Sequence, residues 1–417
     1  MRSDKRARAF CTFFLLIVFQ TQGQERLSIA QAIEIALRQN PGLAAARQEL
    51  GMASGRFWSD VSPPPPTLTL TREYIPAGRS PAQFQEQSIA LNQNLDFPVS
   101  WYLKGEHSAQ SRRQAEAQVR TSTISLIARV KIAYYTARGC LDKLELAGEN
   151  VTIARDFSQR AEIRFKAGEA THLEYQTSRV QLGQVLQALE RSKKEERVSR
   201  SQLMFLLGKK EEGRVEVPVS LDSLEYSPAS GSLERNLTMA DQVNPQLSFM
   251  RLKKEAASTS ASLAWWNVLP GLSISYLRQS RDGNSGYYGF GVGVSLPLWA
   301  LFDHRGKIEA ASAALRASEF ELKDTENRIE VEIQQAWLEL KESERLIELY
   351  LSDLLEQSEE VDRTARVSYA SGEITYLEYL QARQLLIQSR SEYIDALVQV
   401  NASKARLEEA IGAMPNE

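Results

Sequence analysis

The chain has 417 residues, 43% of them hydrophobic and 25% charged, with a formal net charge of -3. That length suits two or three compact domains, and a near-neutral chain with no sustained basic patch gives no reason to expect nucleic-acid binding. His107, His172 and His304 are isolated from one another and from any cysteine, so no metal site is expected.

Arg2, Lys5, Arg6 and Arg8 precede a short apolar core from Cys11 to Phe19, and Thr21-Gln22-Gly23 offers a cleavage region. Residues 1–23 therefore read as an export signal, because the apolar run is too short for a hydrocarbon core of about 30 Å. Cys11 precedes the run, whereas a lipid-anchored cysteine would follow it, so no anchor is expected. Cys140 is then a lone thiol without an internal disulfide partner, expected in the core. No apolar span of 18 residues follows the signal, which leaves a closed β-barrel as the backbone solution if the chain crosses a membrane.

From Leu27 to Gln39, Ile29, Ile33 and Ala36-Leu37 share one face and predict a short helix. Asn40 is a good N-cap and Pro41 a natural first helical residue, so a second helix starts there and runs to about Ser59. The prolines at 63 to 66 stop it. Two alternating runs follow, Thr67 to Glu73 and Ser88 to Phe97, linked through Pro76, Gly78 and Pro81. In the second run Ile89, Leu91, Leu95 and Phe97 face one way, and Ser88, Asn92, Asn94 and Asp96 the other, with Gln93 breaking the apolar side. Such period-two alternation predicts a strand with one greasy and one wet face. Residues 105 to 167 contain no proline and only Gly139 and Gly148 as weak points after Gly105, which predicts a helix of about 95 Å. The chain reverses at Gly168 and returns to about Leu207. In the connecting stretch Val215, Val217, Val219 and Leu221 alternate briefly, enough for a short strand beside the helices.

The plan then repeats. Asn40-Pro41 returns as Asn244-Pro245, and Phe165-Lys166-Ala167-Gly168-Glu169-Ala170-Thr171-His172-Leu173-Glu174-Tyr175 returns as Tyr369-Ala370-Ser371-Gly372-Glu373-Ile374-Thr375-Tyr376-Leu377-Glu378-Tyr379. Leu272, Ile274 and Tyr276 alternate with small or polar residues. After a polar loop from Gln279 to Gly286, Phe290, Val292, Val294, Leu296 and Leu298 do the same. Residues 307 to 371 lack both glycine and proline, and a last helix spans Thr375 to Ile411. The predicted organisation is a signal (1–23), a first repeat (24–208, hairpin about 67–97), a linker (209–231), a second repeat (232–413, hairpin about 271–298) and a tail (414–417). In each half the two shorter helices, laid end to end, nearly match the long one, which predicts a coiled-coil-like column.

Aromatic residues mark the helix–strand boundaries: Trp58 and Trp101-Tyr102 around the first hairpin, Trp265-Trp266 and Trp299 around the second. Amphipathic rings at such places predict a membrane-interface belt. Four strands cannot close a channel-sized barrel, and open edges are forbidden in lipid, so closure needs further copies in a cyclic oligomer. Asn92, Asn94 and Asp96, with Ser273 and Ser275, are predicted to face the lumen.

These landmarks, together with Ala36-Leu37-Arg38-Gln39-Asn40-Pro41 and Leu296-Pro297-Leu298-Trp299 leading into Arg305-Gly306-Lys307-Ile308-Glu309-Ala310, resemble the TolC-type outer-membrane efflux proteins. Within them the likeness is to the cobalt–zinc–cadmium and copper/silver efflux branch. The resemblance covers essentially the whole chain after the signal. It implies a mixed α/β membrane protein in which three subunits give four strands each to a twelve-strand outer-membrane β-barrel, continuous with a periplasmic α-helical tunnel. It also implies a periplasmic adaptor and an inner-membrane pump of the RND type as partners, and metal cations or drugs as cargo. Ala167, Gly168, Glu169, Ala170, Ser371, Gly372, Glu373 and Ile374 match the adaptor-docking tips. Glu378, with Gln381, Arg383 and the equivalent Glu174, matches the periplasmic gate, where Glu378 and Arg383 are expected on a lumen-side helix. The rival reading is a soluble periplasmic coiled-coil adaptor. There is no G-x-S-x-G, H-E-x-x-H or phosphate loop, so neither enzymatic activity nor a cofactor is expected.

Overall fold

The computed structural model of the chain describes residues 27–209, 221–228, 231–266, 269–281, 284–295 and 300–413. The export signal, Val215 to Val219, Trp299 and the tail 414–417 lie outside the described residues. The elements run α1 (Ile29–Gln39), α2 (Pro41–Val61), β1 (Thr67–Glu73), β2 (Glu86–Leu95), α3 (Pro98–Lys166), α4 (His172–Leu206), α5 (Leu233–Val243), α6 (Pro245–Trp266), β3 (Gly271–Arg281), β4 (Asn284–Ser295), α7 (Ala300–Leu349), a π-helical turn (Tyr350–Leu354), α8 (Leu355–Ser371) and α9 (Tyr376–Ile411). Most of the described residues are helical, and among them there is one four-stranded sheet. At 1.5 Å per residue the 69-residue α3 spans about 104 Å.

Local chemistry accounts for the breaks. Ser28 caps α1 in a reciprocal box with Gln31. Asn40 Oδ1 accepts the Leu43 N–H, with Pro41 at the first helical position, where its missing donor costs nothing. The first long helix begins earlier than its glycine content suggests, at Pro98 behind Phe97. Phe97 is therefore a cap residue and not part of β2. The second hairpin is tighter than its polar composition suggests: β3 continues to Arg281 and β4 restarts at Asn284, with a register shift at Gln279/Ser280.

Each composite column is stapled in the same way. Asn40 Nδ2 donates to the Leu206 carbonyl at 2.9 Å, and Asn244 Nδ2 donates to the Ala410 carbonyl at 2.9 Å. Gly208 (φ 71°) and Gly412 (φ 81°) end α4 and α9, and a Cβ on Gly208 would lie 2.3 Å from the Gln39 carbonyl oxygen. Thus α4 abuts α2, and α9 abuts α6. α3 lies between the α2/α4 and α6/α9 columns, and the α7–α8 column packs on the far side of α6/α9. Two buried clusters hold the junction level, one around Ala36, Val130 and Leu203, the other around Ala240, Ile333 and Leu397. Gly139 allows a close approach of α3 to α9, since a Cβ there would lie 2.3 Å from Val398 Cγ2. Cys140 is half-buried, not a core residue, because it sits beside this crossing and not in it.

The sheet order is β1-β2-β3-β4, antiparallel throughout. It follows the order of the helical columns, so both layers end on the same two sides. Among the described residues the outer edges of β1 and β4 have no partner strand.

Candidate functional site

Two regions concentrate chemistry: the sheet and the two helical tips. In the sheet, register decides which side chains share a face. Asn92 pairs with Ser275, which pairs with Gly291; Asn94 pairs with Ser273, which pairs with Gly293. The four residues expected on the wet face of β2 and β3 thus form two rows on one side of the sheet. A Cβ at Gly291 or Gly293 would lie 2.5 or 2.4 Å from the serine Oγ opposite, so the glycines let these rows close up. Asp96 lies just beyond β2, where its carboxylate binds Lys104 Nζ at 2.5 Å. The other face carries Leu68, Leu91, Tyr276 and Phe290 in one row, with Val292 and Val294 beside them, all exposed in the single subunit. Gln93 interrupts this face but turns its amide to the Pro64 carbonyl at 2.7 Å. Trp58, Trp101, Tyr102, Trp265 and Trp266 are also exposed, and Trp101 Nε1 donates to the Val61 carbonyl at 2.8 Å.

At the far end the repeated Gly-Glu turns are built alike. Gly168 and Gly372 both have φ 79°, and the next residues close the turn by Glu169 N–H to Arg164 O and Glu373 N–H to Ser368 O, each 2.9 Å. That left-handed C-terminal cap needs glycine. Thr171 and Thr375 then start the returning helices. Ala167, Gly168, Glu169, Ser371, Gly372 and Glu373 are exposed, with Ala170 and Ile374 half-buried.

The equivalent glutamates diverge. Glu378 folds back onto its own helix start, where its Oε2 accepts from the Thr375 N–H at 2.7 Å and the Thr375 hydroxyl at 2.8 Å. These bonds, the backbone one first, hold its carboxyl below the ordinary range, and it stays ionised on the surface. Glu174 instead accepts from the Tyr369 hydroxyl at 2.7 Å and lies 3.7 Å from Arg164 Nη1, tying the two tips of one subunit together. Burial, aided by that bond, pushes the Tyr369 hydroxyl well above its usual range. Gln381 is exposed one turn beyond Glu378.

Arg383 does not accompany Glu378. Five residues carry it about 140° around the helix, onto the face that packs against α8. There Arg383 Nη1 donates to Asp362 Oδ2 at 3.2 Å, and the same oxygen receives Arg366 Nη2 at 2.9 Å. Glu378 and Arg383, expected on one lumen-side helix, thus point to different faces of it, and Arg383 enters a buried ion pair within the hairpin. Sequence reading missed Asp362 and the aromatic stack that Phe157 makes with Tyr376 (centroids 4.5 Å) and Tyr379 (5.6 Å). Burial pushes the Tyr376 hydroxyl up to about 12. The signal was available at Tyr369, Tyr376 and Tyr379, all inside the repeated segment, but only the fold brings Phe157 to them. Among the described residues no cluster of three His, Cys, Asp or Glu side chains could hold a metal, and no helix is long and apolar enough to cross a membrane.

The chain matches the family model described as outer membrane efflux protein over residues 32–209 and 236–413. It is similar to the cobalt-zinc-cadmium resistance protein CzcC of Cupriavidus metallidurans, with 23% identity over 405 residues, 95% of this chain and 92% of that protein. Among solved structures, the outer-membrane channel OprN matches with a TM-score of 0.79 at 18% identity, covering 93% of this chain and 90% of that one. The CmeC outer membrane channel of Campylobacter jejuni matches with a TM-score of 0.77 at 15% identity, covering 92% and 85%.

Proposed function

The chain belongs to the outer membrane efflux protein family, a family of non-catalytic transport proteins, and from that premise we propose a trimeric exit duct loaded by an inner-membrane pump through a periplasmic adaptor. The observation that carries this reading is the sheet: four strands, one bare apolar face, and two unpaired edges at the end of a helical layer about 100 Å long. Unpaired edges cannot remain in lipid. β4 of one subunit pairs with β1 of the next, and three subunits give a twelve-strand barrel with the apolar face outward and the Asn92–Ser275 and Asn94–Ser273 rows inward. The exposed tryptophans and Tyr102 then lie at headgroup depth. A soluble adaptor has no use for that bare face, and membership of the family favours the channel.

The tips take the periplasmic end. Their exposed Gly-Glu turns dock the adaptor, and three symmetry-related Glu378 carboxylates, with Gln381 beside them, bias the mouth toward cations. Glu174, held by Tyr369 and Arg164, keeps the two tips of a subunit together. Arg383 supports the second tip from within. The relative whose name refers to cobalt, zinc and cadmium resistance makes divalent metal cations the first cargo to test. Specific cargo ligands are unnecessary in a passive duct, and selection rests with an RND-type pump.

Fractionation tests the reading. The protein should partition with the outer membrane and migrate as a heat-modifiable trimer, and recovery as a soluble periplasmic monomer would favour the adaptor alternative.

A further inference from the structure

Along the long helices, α3 against α7 and α8, the two halves keep step except at one place. Buried Leu126, Val130 and Ala137 on α3 correspond to buried Ile329, Ile333 and Leu340 on α7, each 203 positions later. Nearer the tip the spacing is 204, from Phe165 to Tyr369 and from Gly168 to Gly372. The second half therefore carries one extra residue between Leu340 and Tyr369. The π-helical turn Tyr350–Leu354 lies in that interval, whereas α3 is uninterrupted α-helix from Pro98 to Lys166. The inward positions Ile347, Tyr350, Leu355, Ser358 and Asp362 advance by steps of three, five, three and four. The five-step is the π turn, which absorbs the extra residue locally. In a continuous α-helix that residue would rotate everything beyond it by about 100°, taking Ser358 and Asp362 off α9.

The turn sits at a mechanical boundary. Just above it Ile347 is fully buried and α3 and α9 close at Gly139, and at its first residue the Tyr350 hydroxyl donates to Glu392 Oε2 at 2.9 Å. Within it Leu351, Ser352, Asp353 and Leu354 are exposed. Below it α8 is held to α9 by Arg390–Glu359 at 2.8 Å and Arg383–Asp362 at 3.2 Å. This lower pair meets the first half near the tip, through Tyr369–Glu174 and the Phe157 stack. The first half lacks the tether as well as the turn: Ala147 and Ala188 stand where the second half has Tyr350 and Glu392.

We infer that the π turn is a pivot: α8 turns there against α7, and the second-half tip moves while the continuous α3 holds the first-half tip still. The proposal rests on the channel reading above. π turns are single-turn insertions that concentrate at functional sites, and they are places where a long helix bends. Release of Tyr369 from Glu174 frees the lower pair, and the pivot confines its movement to residues beyond Leu349. Because the extra residue is absorbed locally, deleting Ser352 converts the turn to α-helix while leaving the packing stripes above and below in phase.

The test places nitroxide labels at Glu169→Cys and Glu373→Cys, measures the distance distribution between them in the trimer, and records single-channel conductance. Tyr369→Phe should broaden the distribution about twofold and raise conductance. Deleting Ser352 in that background should restore the narrow distribution and remove at least half of the conductance gain; unchanged breadth and conductance would overturn the pivot. Amide exchange on the unaltered protein serves if the deletion fails to assemble. Amides of 350–356 should exchange at least tenfold faster than those of 339–346 and of 146–152 in α3, and equal protection would overturn the proposal. Purified trimers that conduct no ions would refute the channel reading, while the exchange measurement would still judge the pivot.

Discussion

Asn244 offers a quantitative test of how each column is joined. Its Oδ1 accepts the Gln246 N–H at 2.9 Å and the Leu247 N–H at 3.3 Å, while its Nδ2 donates to the Ala410 carbonyl at 2.9 Å. The side chain thus caps α6 and satisfies the end of α9 at once, in a buried position. Asn244→Ala removes a cap worth about 1 kcal/mol and orphans a carbonyl for about 1–2 kcal/mol more. The helical transition should therefore lose about 2–3 kcal/mol. Asn244→Asp separates the two roles. A carboxylate is a good N-cap and suits the positive end of the helix dipole, so capping alone predicts a neutral or stabilising change. It cannot donate to Ala410, however, and sets one acceptor against another. The aspartate substitution should therefore cost at least as much as alanine, with the deficit shrinking in acid as the carboxyl protonates and becomes a donor. Urea titration of the detergent-solubilised protein, followed by helical circular dichroism at constant slope, measures each difference. An Asn244→Asp midpoint at or above wild type would refute the bridge and leave only a cap. Asn40→Asp should behave likewise, because Asn40 makes the same bond to Leu206.

Gly208→Ala should destabilise far more than Gly168→Ala. Both incur about 1–2 kcal/mol for a left-handed backbone, but only at Gly208 would the new Cβ strike backbone, and thermal scans of the two variants give the comparison. Gly372→Pro is incompatible with φ 79° and should abolish adaptor crosslinking more than barrel insertion; unchanged crosslinking would remove the docking role. Glu378→Gln keeps an acceptor for Thr375 but loses the charge, so helicity should persist while cation selectivity falls in bilayer recordings. Because the folded carboxyl titrates below the unfolded one, its contribution is fully present above the ordinary carboxylate range and lost only as pH falls through the lowered folded value. Wild-type selectivity should accordingly survive below the ordinary carboxylate range, and its loss near neutrality would contradict the capped geometry. Tyr369→Phe should weaken tip closure by about 1 kcal/mol, read as raised conductance; an unchanged conductance would show that Glu174 holds nothing shut.

The sequence by itself determined what depends on local chemistry and on period. Asn40-Pro41 and Asn244-Pro245 specify helix starts through capping, Gly168 and Gly372 specify reversals through positive φ, and alternation in Ser88 to Leu95 separates a wet from a greasy face before any partner is known. These signals lie within a few residues of one another, so no tertiary information is needed to read them. Tertiary structure decided what depends on partners distant in the chain. Asn92 meets Ser275 only because β2 pairs with β3 across the two halves. Arg383 turns to Asp362 and not to Glu378, since rotation around a packed helix, not separation along the chain, selects its neighbour. Glu174 and Glu378 hold equivalent places in the repeat yet differ in bonding, because a tyrosine of the other half reaches only the first. The one-residue change of spacing between the halves was present in the sequence, but only the packing of α8 on α9 fixed where the helix had to absorb it.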